Sequence, residues 1–154
     1  MLSAALSGVA GFVDAVGFLD TSGFFVSFMS GNSTQGAVAV LRGDASLALV
    51  AAGLIAAFVG GVAVGAAVSM RTARAQTGVI IGAAVVVAVA AALALDGSTT
   101  LWRAVLLAAA MGALNTLFLA DGRARIAITY STGTLVSLGI GLAALFTGGS
   151  RRAW

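Results

Sequence analysis

The chain has 154 residues; 60% are hydrophobic, only 8% are charged, and Pro, Cys and His are absent. Its eight basic residues are all Arg and its five acids are all Asp, well short of the quarter of charged residues a soluble domain carries. So few charges exclude a water-covered globule and leave lipid as the solvent for most of the surface. The missing Cys and His exclude disulfides, thiolate metal sites, haem ligation and Ser–His or Cys–His nucleophiles.

Neither an enzyme, a cofactor nor a metal site is expected. The pI near 11.2 does not point to nucleic acid, because the Arg residues stand singly or in pairs at segment ends, where interfacial anchors belong.

Charges and Gly/Ser/Asp clusters divide the chain into about six apolar segments, each near the ~20 residues a spanning helix needs. The first runs to Leu19, and the second is 24–41, closed by a turn at Arg42, Gly43 and Asp44. The third covers 45–70 and ends at Arg71 and Arg74. The fourth is 77–95, closed by Asp96 and Gly97. The fifth, 101–120, has Trp102 and Arg103 at its mouth. A turn with Asp121, Gly122, Arg123 and Arg125 leads to the sixth, 126–147, before Arg151 and Arg152. The expected fold is an all-α integral membrane protein of about six transmembrane helices. If all six cross, Arg42, Arg103, Arg151 and Arg152 face Arg71, Arg74, Arg123 and Arg125. That even split gives no orientation by the positive-inside rule.

The third segment places Gly53, Ala57, Gly61, Gly65 and Ser69 at every fourth position. Such a stripe lets another helix approach closely, within the chain first and in a homodimer seam second.

An internal repeat is visible. GFVDAVGFLD (11–20) aligns with GALNTLFLAD (112–121), setting Asp14 on Asn115 and Asp20 on Asp121. With one extra turn residue, VSFMSGNSTQG (26–36) aligns with ITYSTGTLVSL (128–138), setting Gly31 on Gly133 and Asn32 on Thr134. The domain organisation is then a single transmembrane unit over 1–154. Repeat 1 covers about 1–70, a linker helix 77–95, and a partial repeat 2 about 101–154. The second half stops at Trp154, where a seventh helix is expected. If the two polar segments span, the repeats are parallel; if they are re-entrant, the repeats are inverted.

Polar side chains in hydrocarbon are costly unless they face protein or water. Ser30, Gly31, Asn32 and Gln35 are therefore expected to line an internal cavity with Tyr130, Thr132, Gly133 and Thr134. Either Ser/Thr hydroxyls bond back within intact helices, or the helices break at Gly31 and Gly133 and aim their N-termini inward. Asp14 is the one acid inside a span, with Asn115 and Thr116 at the matching place. An acid at bilayer depth suits proton coupling or cation binding; glue between helices, or hydration near the interface, is the plainer use.

GFVDAVGFL with FVSFMSGNSTQ, and GALNTLF with TYSTGTL, resemble the YoaK-type family of bacterial inner-membrane proteins, a domain-of-unknown-function family. The resemblance runs from about Gly11 to Leu138. It implies a multi-pass protein of the bacterial inner (plasma) membrane, with family members longer at the C-terminus. Asn115–Thr116 departs from the Gln–Asn pair expected there. The expected function is a small secondary transporter of a polar solute or small anion, proton-coupled through Asp14. A passive channel and a non-transporting scaffold are the alternatives. Expected partners are the lipid bilayer, the solute and a second copy through the Gly53/Ala57/Gly61/Gly65 face.

Overall fold

The computed structural model describes residues 2–21, 23–69, 75–95, 100–120, 123–124, 136 and 139–145. Five long helices dominate: α1 (Leu2–Asp20), α2 (Met29–Leu41), α3 (Ala45–Ser69), α4 (Ala75–Leu95) and α5 (Thr100–Asn115). A 3-10 turn (Thr116–Phe118) then leads to two short antiparallel strands, β1 (Leu119–Ala120) and β2 (Arg123–Ala124), with Leu119 opposite Ala124. Residues 139–145 are also helical.

Two of these helices, α3 and α4, are long and apolar enough to cross a membrane; α5 is apolar and shorter. Helices that are apolar all round need either a protein interior or lipid. Only 28% of the α3 span and 17% of the α4 span are buried inside the protein, so the rest of that surface needs lipid.

The expected second span, 24–41, is not one helix. The helix begins only at Met29, and its 13 residues extend ~20 Å, short of the ~30 Å hydrocarbon core. Nor does it break at Gly31, which lies inside α2. The discontinuity comes earlier, between Asp20 and Met29. The run FFVSF is aromatic and β-branched, a composition that favours extended chain.

The extended stretch doubles back. Val26 packs against Gly17, and Phe25 stacks on Phe18 with ring centroids 5.0 Å apart, so it runs antiparallel to α1. Helix α2 then reverses again, because Asn32 bonds Phe25 and Gln35 bonds Gly23. Helix α3 returns beside α2, with Gly36 against Ala51. Helices α3 and α5 run parallel, since Gly61 meets Ala109 and Gly65 meets Ala113. The start of α5 reaches the end of α1 through the Arg103–Asp20 ion pair. The ends of α1, α2 and α4 and the starts of α3 and α5 therefore share one end of the bundle.

The core centres on α3 and α5: Leu54, Phe58 and Val62 pack with Ala104, Ala108 and Met111, joined by Val26 and Met29 from the first hairpin. Small residues permit this crossing. A Cβ on Gly61 would fall 1.9 Å from the Ala109 carbonyl oxygen, and one on Gly112 would fall 2.1 Å from that of Phe58. The lower part of the small-residue stripe is thus occupied within the chain, whereas a Cβ on Gly53 would meet nothing within 4 Å.

Asp44 starts α3. Its Oδ1 accepts the Ser46 hydroxyl at 2.6 Å and the Leu47 N–H at 3.1 Å, an N-cap arrangement. The Ser46 hydroxyl first, and the Leu47 amide second, hold its carboxyl below the ordinary 3.8.

Gly61→Ala and Gly112→Ala are expected to force α3 and α5 apart and cost about 1–3 kcal/mol or more. Gly60→Ala, with nothing within 4 Å, is expected to be neutral or mildly stabilising. Thermal unfolding in detergent checks both. For Asp44 the depressed value sets the sign: its contribution is present above pH ~4 and is lost as the pH falls through the folded value. Asp44→Asn keeps a cap that does not titrate, so its melting temperature should fall less than the parent's on acidification below pH ~4.

Candidate functional site

Once a chain leaves the helix, its backbone N–H and C=O groups need new partners, and in an apolar chain those must come from the protein. Residues 23–28 are such a stretch, and side chains from α1 and α2 supply the partners.

The turn out of α1 is set by Thr21 and Gly23. The Thr21 hydroxyl lies 2.7 Å from the Gly17 carbonyl and 2.9 Å from that of Phe24, and it accepts the Phe24 N–H at 3.0 Å. Gly23 adopts φ of +130°, a region open to glycine and rarely to other residues.

From α1, Asp14 reaches the strand. Its Oδ1 accepts the Val26 N–H at 2.7 Å and the Ser27 N–H at 2.6 Å, and its Oδ2 accepts the Ser27 hydroxyl. From α2, the fully buried Asn32 closes the other edge. Its Oδ1 accepts the Phe25 N–H at 2.8 Å, while its Nδ2 donates to the Phe25 carbonyl at 2.7 Å and lies 3.7 Å from the Met29 sulfur. The carboxamide thus stands in for one rung of a β-ladder. Gln35 adds a longer bond, Nε2 to the Gly23 carbonyl at 3.3 Å. Asp14, six residues inside α1, lies ~9 Å from that helix's end. Among the described residues, no buried side-chain nitrogen or oxygen lacks a partner.

Asp14, Asn32 and Gln35, expected together, do converge on residues 23–27. Gly31 serves differently: a Cβ there would fall 2.5 Å from a Phe28 ring carbon and 2.8 Å from Phe25. It is small because two rings lie over the first turn of α2. Ser30 is half-buried in that turn. The hydroxyls of Ser33 and Thr34 bond back to the Met29 and Ser30 carbonyls. Asn115 does not join Asp14; its amide donates to the Met111 carbonyl at 2.8 Å, and the buried Thr116 bonds the Ala113 carbonyl at 2.7 Å. Tyr130, Thr132, Gly133 and Thr134 lie outside the described residues. The sequence reading missed Thr21, Gly23 and Ser27. The signal for the first two was the run Asp20–Thr21–Ser22–Gly23, a turn composition directly after a helix.

Among the described residues, cavities flank this core on two sides. One of about 510 Å³ lies among α3, α4 and α5 and is lined wholly by Gly, Ala and Val. The other, about 330 Å³, lies between the extended stretch and the α2–α3 turn. Its walls include Gly23, Phe24, Gln35, Arg42 and Asp44.

Asn32→Ala would leave the Phe25 N–H and carbonyl without their partner. At ~1–3 kcal/mol per orphaned group, a loss of about 2–6 kcal/mol is expected. Asp14→Asn keeps an acceptor and is expected to cost about 1–2 kcal/mol. Both side chains hold one segment, so the double variant should cost less than the sum of the singles. Unfolding of the three variants in detergent measures the coupling; strict additivity would contradict a shared role.

The chain matches, over residues 2–154, the sequence profile of the family described as "Protein of unknown function (DUF1275)". A curated relative is the UPF0700 transmembrane protein RA0705 of Rhizobium meliloti (strain 1021). It is 38% identical over 153 residues, covering 99% of this chain and 65% of that protein. The chain thus spans about two-thirds of the length of the relative it matches. No solved structure matches it. The relative's name agrees with the lipid-facing surfaces of α3 and α4, and the family agrees with the YoaK-type motifs around Asp14 and Asn32. This chain belongs to the DUF1275 family and is a transmembrane protein.

Proposed function

We propose that this protein is a small secondary transporter of a polar solute or small anion in the bacterial inner membrane, with Asp14 as a proton-coupling acid. One observation carries the reading: the backbone of residues 23–28 is non-helical and is tied down by a carboxylate and an amide. Within a bilayer, such backbone is tolerated where it is buried in protein or lines a wet cavity. Broken helices of this kind form the solute sites of many transporters.

Asp14 gives the break two states. As a carboxylate it is acceptor-only and takes the Val26 and Ser27 amides together with the Ser27 hydroxyl. A proton on Oδ2 turns that atom into a donor, and the Ser27 hydroxyl must then rotate from donor to acceptor. In the proposed carrier, that reversal changes the hold on the segment where it meets α1. Among the described residues, the recorded partners of Asp14 are Val26 and Ser27, and the Arg103–Asp20 pair lies at the end of the same helix. Proton occupancy of Asp14 would thus be coupled to the position of the hairpin, which is what a coupled carrier requires.

A second reading, a non-transporting membrane scaffold, rests on a different observation. Asp14, Asn32, Asn115 and Thr116 all bond the chain's own backbone.

Reconstituted proteoliposomes separate the two. With carboxylates, amino acids, phosphate and sugars as the solute panel, at least one solute should accumulate under an imposed pH gradient. Asp14→Asn should lose the gradient dependence while keeping a cooperative unfolding transition. If no solute in the panel moves faster than in protein-free liposomes, the carrier reading fails and the scaffold stands. Gradient dependence that survives Asp14→Asn unchanged removes the coupling role alone.

A further inference from the structure

The 330 Å³ pocket is where charged chemistry meets the re-entrant segment. Its floor is that segment, through Gly23 and the buried Phe24. Gln35 enters from α2 and bonds Gly23 with one amide proton at 3.3 Å, leaving the other proton for a ligand. Arg42 stands exposed at the rim, with no ion pair or side-chain hydrogen bond among the described residues. Asp44 lies opposite, but its Oδ1 is engaged by Ser46 and Leu47, and the N-terminal dipole of α3 offsets its charge. The donors left for a ligand are the Arg42 guanidinium and one Gln35 amide proton, beside Gln35 Oε1 and Asp44 Oδ2 as acceptors. A planar anion matches a guanidinium beside an amide.

The direction of the elements decides which way the pocket opens. Helix α2 returns to the end of the bundle where α1 finished, since Gln35 lies level with Gly23 and Arg42 comes seven residues later. Arg42 and Asp44 therefore share a side with the Asp20–Arg103 pair. The end of α3 and the start of α4 lie at the opposite end of the bundle.

We infer that this pocket binds a small solute carrying a carboxylate or comparable anionic group, held by Arg42 and Gln35, and that it opens only to the Asp20–Arg103 side of the membrane. The inference rests on the transporter reading for the solute's onward path; binding and sidedness stand on the pocket alone.

The chain has no cysteine, so single thiols can be placed on an otherwise unreactive protein. Val38→Cys lines the pocket. Ser46→Cys marks the α2–α3 turn, and Gln76→Cys marks the start of α4. The probes are two membrane-impermeant methanethiosulfonates, one bearing a sulfonate and one a trimethylammonium, applied to intact cells and to inverted vesicles. Val38→Cys and Ser46→Cys should react from the same side, and Gln76→Cys from the other. At Val38→Cys, adding Arg42→Gln should lower the anionic-to-cationic rate ratio by roughly three- to tenfold, the scale of one nearby charge in partly screened water. At Gln76→Cys the ratio should not move. Labelling of Val38→Cys from the Gln76 side would overturn the sidedness. An unchanged ratio in Arg42→Gln would overturn the anion site. Neither readout needs flux, so a protein that passes here yet moves no solute in liposomes refutes transport and leaves the pocket in place.

Discussion

The structure depends on one constraint: a stretch of backbone leaves the helix inside a chain that offers almost no polar surroundings. From Gly23 to Phe28, the amides and carbonyls cannot rely on water if this part of the chain is embedded in lipid. Asp14 takes two amides from one side and Asn32 takes an amide and a carbonyl from the other. These bonds act in a medium of low dielectric, where a made bond is strong and an unmade one is expensive. They explain why a sequence that avoids polar residues places them at Asp14, Asn32 and Gln35, while Ser33 and Thr34 bond back within α2.

Behind that hairpin stands a platform built on the opposite chemistry. Helices α3 and α5 cross through glycine and alanine, with backbone nearly touching backbone at Gly61 and Gly112. Without a hydrophobic driving force between helices in lipid, close approach and dispersion must hold them together. The hairpin joins this platform through Val26 and Met29, both fully buried. A rigid α3–α5 pair and a segment held chiefly by side-chain bonds have different reasons to stay folded.

Much of this was legible in the sequence. Composition alone gave the lipid solvent, and the long alanine–valine runs gave α3 and α4. Asp14, Asn32 and Gln35 stood out as polar atoms with no cheap place to go, and they do share a task. Of the two readings left open at Gly31, the intact helix is the one found, over Met29–Leu41. Gly31 is small for the sake of Phe25 and Phe28, whereas the break follows from the extended preference of FFVSF and from the turn at Thr21 and Gly23. No local propensity could show that Asn32 reaches back seven residues to Phe25, since that contact is made by tertiary folding. The matched positions in the second half behave differently where they are described. Asn115 does not reach an extended segment as Asp14 does, and its amide bonds its own helix instead.

The central claim is that Asp14 and Asn32 hold the Phe25–Ser27 backbone. Amide hydrogen exchange in the folded, detergent-solubilised protein tests it most directly. The account predicts slow exchange at Phe25, Val26 and Ser27, with Asn32→Ala selectively speeding Phe25 and Asp14→Ala selectively speeding Val26 and Ser27, while the amides of α3 stay protected. Exchange at these three positions as fast as in an open linker, or unaltered by either substitution, would contradict it.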